Sequence, residues 1–204
     1  MKKKRLVALL CAVCLYFSCV SLPSVLAADA PLKSPPLSSA AQASVTRYQQ
    51  EKSLWCWVAC IKMVVQHMLG SSPSQSQIYK NGKYSNTVAN EAATNDELTR
   101  GLNVSLNSKY FADHAGGTKS IDWIKGCILV DKPLIFKLWW SGRSGHAVVI
   151  DAYSLNKIRV VDPWYNCTSK VFVDYDDAKT KAEFPSGTYQ WVDTWSISGT
   201  PVLN

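Results

Sequence analysis

The fifteen residues from Trp55 to Leu69, WCWVACIKMVVQHML, constrain this chain more than any other stretch. They are apolar on almost every side of a 3.6-residue helix, and Gly70 follows as a C-terminal cap. A helix without a broad polar face has to sit at the centre of a fold, covered on several sides. The stretch after it is polar and rich in Ser and Asn until Thr94-Asn-Asp-Glu97, a capping box that predicts a short helix through Leu102. Ser120 predicts the cap of another helix over Ile121–Leu129. The period then changes. Pro133–Trp140, His146–Tyr153 and Ile158–Asp162 are β-rich runs separated by SGRSG and SLNK turns, and Lys170–Tyr175 and Gly187–Ile197 add one or two more. Helices first and strands afterwards predict an α+β fold, a helical half packed on an antiparallel sheet. A ligand groove is expected where the halves meet.

The N-terminus has a different purpose. Met1-Lys-Lys-Lys-Arg5 is a basic head, Leu6 to about Val20 is apolar, and Val25-Leu26-Ala27 carries small residues at the cleavage positions. This three-part layout predicts a secretory signal peptide over residues 1–27, cut after Ala27. The apolar run is short for a membrane span and Pro23 interrupts it, so no membrane association is expected once the signal is removed. Residues 28–45, rich in Pro, Ser and Ala, read as a flexible lead-in to a domain over 46–204. The mature chain is expected outside the cytoplasm, either extracellular or periplasmic. Removing the signal takes away four cations and no acid, so the net charge falls from +7 to +3. No Lys/Arg block remains, and nucleic-acid binding is not expected. Four of the seven cysteines remain: Cys56, Cys60, Cys127 and Cys167. An even count in an oxidising compartment suggests disulfides without fixing their pairing, and a Cys127–Cys167 bridge is one possibility.

Cys56 is the residue from which chemistry is argued. It stands at the start of the buried helix, where unpaired backbone N–H groups and the helix dipole stabilise a thiolate, the form a nucleophile needs. Three histidines can partner it. His67 is eleven residues along the same helix, roughly 16 Å away at 1.5 Å per residue. His114 lies in a loop-like Asp-His-Ala-Gly-Gly segment. His146 opens a β-branched strand after a turn and is the best base. An imidazole in that role needs an acceptor on its second nitrogen. Asp151 is an odd number of residues away on the same strand and faces the other side. Asp162 ends the next strand and returns to the His146 end, with Trp164 placed to cover the pair from water.

Taken together, Gln50, Cys56-Trp57, Gly145-His146-Ala-Val-Val and Asp162-Pro-Trp164 resemble the papain-like cysteine peptidases. They are most similar to the compact bacterial members, the bacteriocin-leader-cleaving peptidases with their relatives and the plant-pathogen effector proteases. The resemblance runs from Thr46 to Trp164. It implies a papain-like fold with Cys56, His146 and Asp162 as catalytic residues, Gln50 as a side-chain donor in an oxyanion hole, and a polypeptide substrate. The Cys-Gly-Ser/Ala-Cys signature of the plant and lysosomal enzymes is absent, and the segment before Gln50 is too short for their inhibitory pro-domain. The implied reaction is peptide hydrolysis through an acyl-enzyme. An acyl transferase or amidase on the same triad, a non-catalytic module that kept the scaffold, and a structural secreted protein with Cys56 in a disulfide are the alternatives. No cofactor or metal is expected: Cys60 lies one turn below Cys56, and no further Cys or His stands at ligand spacing. The oligomeric state is not legible in the sequence.

Overall fold

Helix α1 (Cys56–Leu69) forms as its apolar pattern predicts, ending at Gly70 in the left-handed conformation (φ 73°) with its N–H bonded to Gln66 O. Eight of its residues are buried, from Trp57 to Val65. The computed structural model describes residues 39–140, 145–167 and 170–199, all within one compact unit. The expected signal peptide, most of the lead-in and Ser141–Ser144 of the SGRSG turn lie outside the described residues.

Two further helices pack against α1. Helix α3 (Asn95–Ser105) starts at the expected capping box: Thr94 accepts from Glu97 N–H, and the Glu97 carboxylate accepts from Thr94 N–H. Helix α2 (Gln75–Lys83) lies in the polar stretch where no helix was expected; Ser74 caps it, accepting from Gln77 N–H. It holds because Gly82 lets it approach Trp57. A Cβ at Gly82 would stand 2.7 Å from a Trp57 ring carbon and 3.0 Å from Glu97 O. Gly82→Ala is therefore expected to destabilise the fold. The overlap costs about 1–3 kcal/mol, against a gain of at most ~1 kcal/mol from helix propensity. A lowered melting temperature would show it, and an unchanged or raised one would refute it.

The strands are β1 (Ala40–Gln42), β2 (Phe111–His114), β3 (Leu134–Trp139), β4 (Gly145–Ser154), β5 (Lys157–Val161), β6 (Val171–Asp174), β7 (Ala182–Phe184) and β8 (Gly187–Ser198). The sheet order is β2-β8-β3-β4-β5-β6, with β1 on β4 and β7 on β8, and every pairing is antiparallel. Strand β4 is covered on both faces, which explains its unbroken apolar run. Ala147 and Val149 face the core built on α1–α3, whereas Val148 and Ile150 face a second core with Ile124 and Ile128 of helix α4 (Ile121–Leu129). The second core also takes Tyr175 and Ala178 of the short helix α5 (Tyr175–Thr180).

Two expectations need correction. The lead-in does not run to residue 45: Ala40–Gln42 pair with Ala152–Ser154, and Ala43 and Val45 are buried. The cause is a bulge in β4 between Ile150 and Ala152. There the buried Asp151 carboxylate accepts from Arg159 (2.7 and 3.1 Å), Lys170 (2.7 Å) and Val45 N–H (3.1 Å), fastening the N-terminal segment to the sheet. The Cys127–Cys167 bridge is also absent, since both thiols are free. Cys127 packs on the second core, whereas Cys167 is buried where the charges of Asp162 and Arg47 reach it.

Candidate active site

The thiol of Cys56 occupies the first position of α1. The residue before it, Trp55, offers no side-chain cap, so the first-turn N–H groups have no competing side-chain acceptor there. Trp57 N–H and Ala147 N–H both hydrogen-bond the Cys56 sulfur, and the His146 imidazole is its side-chain partner. Burial opposes ionisation of this thiol, but the hydrogen bond and charge of His146, with the two N–H groups, outweigh it. Its pKa is lowered from the ordinary value of 9.0. Four residues further along, Cys60 behaves in the opposite way. It is wholly buried, and its pKa is raised by burial and then by the charges of Cys56 and Asp162.

His146 is the second residue of β4 and is 6% exposed. Its Nε2 lies 2.9 Å from Asp162 Oδ1, which leaves Nδ1 for the thiol. Burial alone would lower its pKa; the hydrogen bonds to Asp162 and Cys56, and their charges, raise it to about 10. The ring sits in an aromatic box. Trp164 meets it edge-on at 5.9 Å, as expected of a shield, and Tyr189 stacks on it at 5.7 Å. Both rings exclude water, and the face of Tyr189 favours the imidazolium.

Asp162 is fully buried and has all its lone-pair positions occupied. Oδ1 accepts from His146 and from Trp164 N–H (2.9 Å), and Oδ2 accepts from Ser186 N–H (3.1 Å) and Ser186 Oγ (2.5 Å). Burial opposes its ionisation, but the hydrogen bond to and charge of His146, followed by the donors from Ser186 and Trp164, hold its pKa below the ordinary value. Arg47 clamps the same segment, donating to Asp162 O (2.8 Å) and Trp164 O (2.6 Å). Gln50 N–H donates to Pro163 O (2.9 Å) and ties the loop before Cys56 to the loop after β5.

A family model, the Peptidase_C39 like family, matches residues 42–193. The chain belongs to the Peptidase_C39-like family. That membership makes it a cysteine-type peptidase of the papain-like class, and solved structures agree on the fold. A Bacillus anthracis protein described as a C39-like peptidase is 14% identical, with a TM-score of 0.53 over 79% of this chain and 98% of its own. The peptidase domain of Streptococcus ComA, a bifunctional ABC transporter of a quorum-sensing pathway, gives 12% and 0.52 over 78% and 99%. A double-glycine-motif protease from an AMS/PCAT transporter, solved with its leader peptide, gives 15% and 0.51 over 78% and 95%. No curated protein matches the chain.

Of the residues singled out in the sequence, this C39-like peptidase brings Cys56, His146 and Asp162 into one hydrogen-bonded chain. Gln50 lies beside them, buried, with a different set of bonds. Its Nε2 donates to Lys52 O and Ser53 O, both at 2.9 Å, and its Oε1 has no partner among the described residues. His67 is elsewhere, against Asp131 (3.0 Å), and His114 pairs with Asp193 (2.7 Å). Asp151 serves the bulge. Sequence reasoning missed Gln75, which accepts from Glu51 N–H (3.0 Å) and donates to Gln49 O (2.6 Å), shaping the loop ahead of Cys56. It also missed Ser186, which stands in a turn 24 positions after Asp162 and has no spacing to reveal it.

Ser186 is a positioning residue. Ser186→Ala removes one charge-assisted bond to Asp162, worth about 1.5–3 kcal/mol. Turnover is expected to fall roughly tenfold, with the acid limb of the pH profile moving upward because Asp162 loses a donor that favours its charge. A merely structural role would lower stability and leave the pH profile in place.

Proposed function

We propose that this peptidase is exported and hydrolyses peptide bonds with Cys56 as nucleophile, His146 as acid and base, and Asp162 as the anchor of the imidazole. The observation that carries the reading is the unbroken chain from the thiol at the α1 N-terminus through His146 to a fully bonded Asp162. The lowered pKa of Cys56 and the raised pKa of His146 make that chain a thiolate–imidazolium pair over the pH range between them. The thiolate attacks the substrate carbonyl carbon and forms a C–S bond. As the C–N bond breaks, His146 gives its proton to the leaving amine. His146 then takes a proton from water, whose oxygen displaces the sulfur and releases a carboxylic acid.

The backbone N–H at Cys56 and the Gln50 amide are the proposed donors to the developing oxyanion; losing such a donor in related sites costs on the order of a hundredfold in rate. Gln50 would exchange one of its loop carbonyl bonds for that contact. The neighbouring structure solved with a leader peptide supports a polypeptide substrate, and the N-terminal basic and apolar segment supports export. The test is incubation of the exported protein, expected to begin at Ala28 by mass, with a peptide library, reading new termini by mass spectrometry. Cleavage that depends on Cys56 supports the proposal. Amine incorporation with ammonia release in place of new termini would replace hydrolysis by acyl transfer.

A further inference from the structure

A pocket of about 160 Å³ opens between α1, α3 and the adjoining ends of β3 and β4, and Cys56 and His146 form part of its wall. Pockets that hold whole small ligands are typically 300–1,000 Å³, so this one has the dimensions for a single side chain. Its far wall is apolar, with Leu98 and Trp195 both buried. Among the described residues one cation faces the same space, Lys137 of β3. Its Nζ donates to Asn95 Oδ1 at 2.8 Å.

The bland explanation of Lys137 is a structural ion pair with Asp193, its cross-strand neighbour on β8. The bonding speaks against it. Asp193 spends Oδ2 on His114 (2.7 Å) and Asn95 Nδ2 (2.8 Å), and Oδ1 on Gly117 N–H (2.9 Å) and Thr194 N–H (3.0 Å). Asn95 is thereby oriented with its oxygen toward Lys137. Among the described residues Lys137 makes no ion pair. An ammonium has three protons, and one of them is given to a neutral amide oxygen. The arrangement presents a half-buried cation, steered by Asn95, over an apolar pocket beside the thiol. A carboxylate entering there meets a charge that is screened less than one in open water.

We infer that this pocket selects an acidic side chain, Glu or Asp, of the polypeptide substrate close to the scissile bond, with Lys137 as the specificity-determining residue and Asn95 positioning it. The inference rests on the peptidase reading of the same site and names its substrate preference. Glycine or an aliphatic residue would leave the ammonium without a partner, so the pocket discriminates by charge as well as by size.

The test uses acetyl-tripeptidyl vinyl sulfones in which each position in turn carries Glu, Asp, Gln, Leu, Gly or Lys, with the rate of Cys56 adduct formation read by mass spectrometry. Glu or Asp at one position is expected to exceed its Gln counterpart by roughly ten- to a hundredfold, the range of a charge-assisted bond. Lys137→Met is expected to abolish that ratio, Lys137→Arg to retain most of it, and Lys137→Glu to turn it toward Lys. Equal rates for Glu and Gln at every position overturn the inference, as does an acidic preference that survives Lys137→Met. Failure of every reagent to label Cys56 overturns it too. Adduct formation is separate from hydrolysis: an acidic preference in labelling without any peptide cleavage would uphold the pocket and refute the peptidase reading. Cleavage indifferent to Glu would do the reverse.

Discussion

Cys56→Ala is expected to reduce peptide cleavage to background, a loss on the order of a million-fold by analogy with removal of other activated nucleophiles. The size follows from the role: no second thiol among the described residues is placed to take over. Cys60 is wholly buried and its pKa is pushed up by burial and by the charges of Cys56 and Asp162, and Cys127 and Cys167 are likewise raised, chiefly by burial. The fold is expected to survive. The side chain is half-buried at the start of α1, and its removal eliminates one member of a desolvated charge pair while His146 keeps Asp162. Sites of this kind commonly cost stability, so the melting temperature is expected to stay level or rise slightly. Activity and melting measured on the same preparation decide the matter. Turnover comparable to the parent protein would remove Cys56 from the mechanism, and loss of the folded state would mean that the residue serves α1 first.

What could be read ahead of the structure was whatever local chemistry decides. An apolar helix closed by a glycine in the left-handed region, a Thr–Glu capping box and three β-branched runs form almost where their residues place them, because caps and periodicity act within a few positions. Cys56, His146 and Asp162 were legible for a related reason: each sits at the end of such an element, and antiparallel pairing returns Asp162 to His146. What was illegible depends on distant partners. The segment QSQIYKNGK has a weak helical pattern and an internal glycine, and it becomes α2 because Trp57 fills the space that Gly82 leaves. Strand β1 owes its place to the bulge at Asp151, which no propensity announces. Ser186, Gln75 and the Lys137–Asn95–Asp193 relay are contacts across 24 to 98 residues, set only once the sheet has its register. Gln50 shows the other limit. The resemblance implied an oxyanion-hole role for it, but its amide protons are committed to Lys52 and Ser53 carbonyls, a choice made by the turn.

His146→Ala is expected to take away most of what stabilises the Cys56 thiolate and leave an ordinary half-buried thiol. In the parent protein burial raises the thiol pKa, and the hydrogen bond and charge of His146 more than offset it, leaving a value below 9.0. The substitution removes both His146 contributions and leaves burial opposed only by the Ala147 and Trp57 N–H groups. The pKa should then rise, and alkylation by iodoacetamide near pH 7 should slow by roughly ten- to a hundredfold, as the thiolate fraction falls. The parent should label rapidly well below pH 9, whereas the variant should do so only in alkaline solution. Peptide cleavage adds a limb that alkylation lacks. His146 must carry a proton to release the amine, and its pKa is raised to about 10, so turnover is expected to fall as the pH rises through about 10 while alkylation continues. At low pH both decline together, as the thiolate and Asp162 take up protons. If alkylation of the variant matched the parent across the range, the thiolate would owe its stability to the α1 N-terminus alone, and the imidazolium would have no part in activating it.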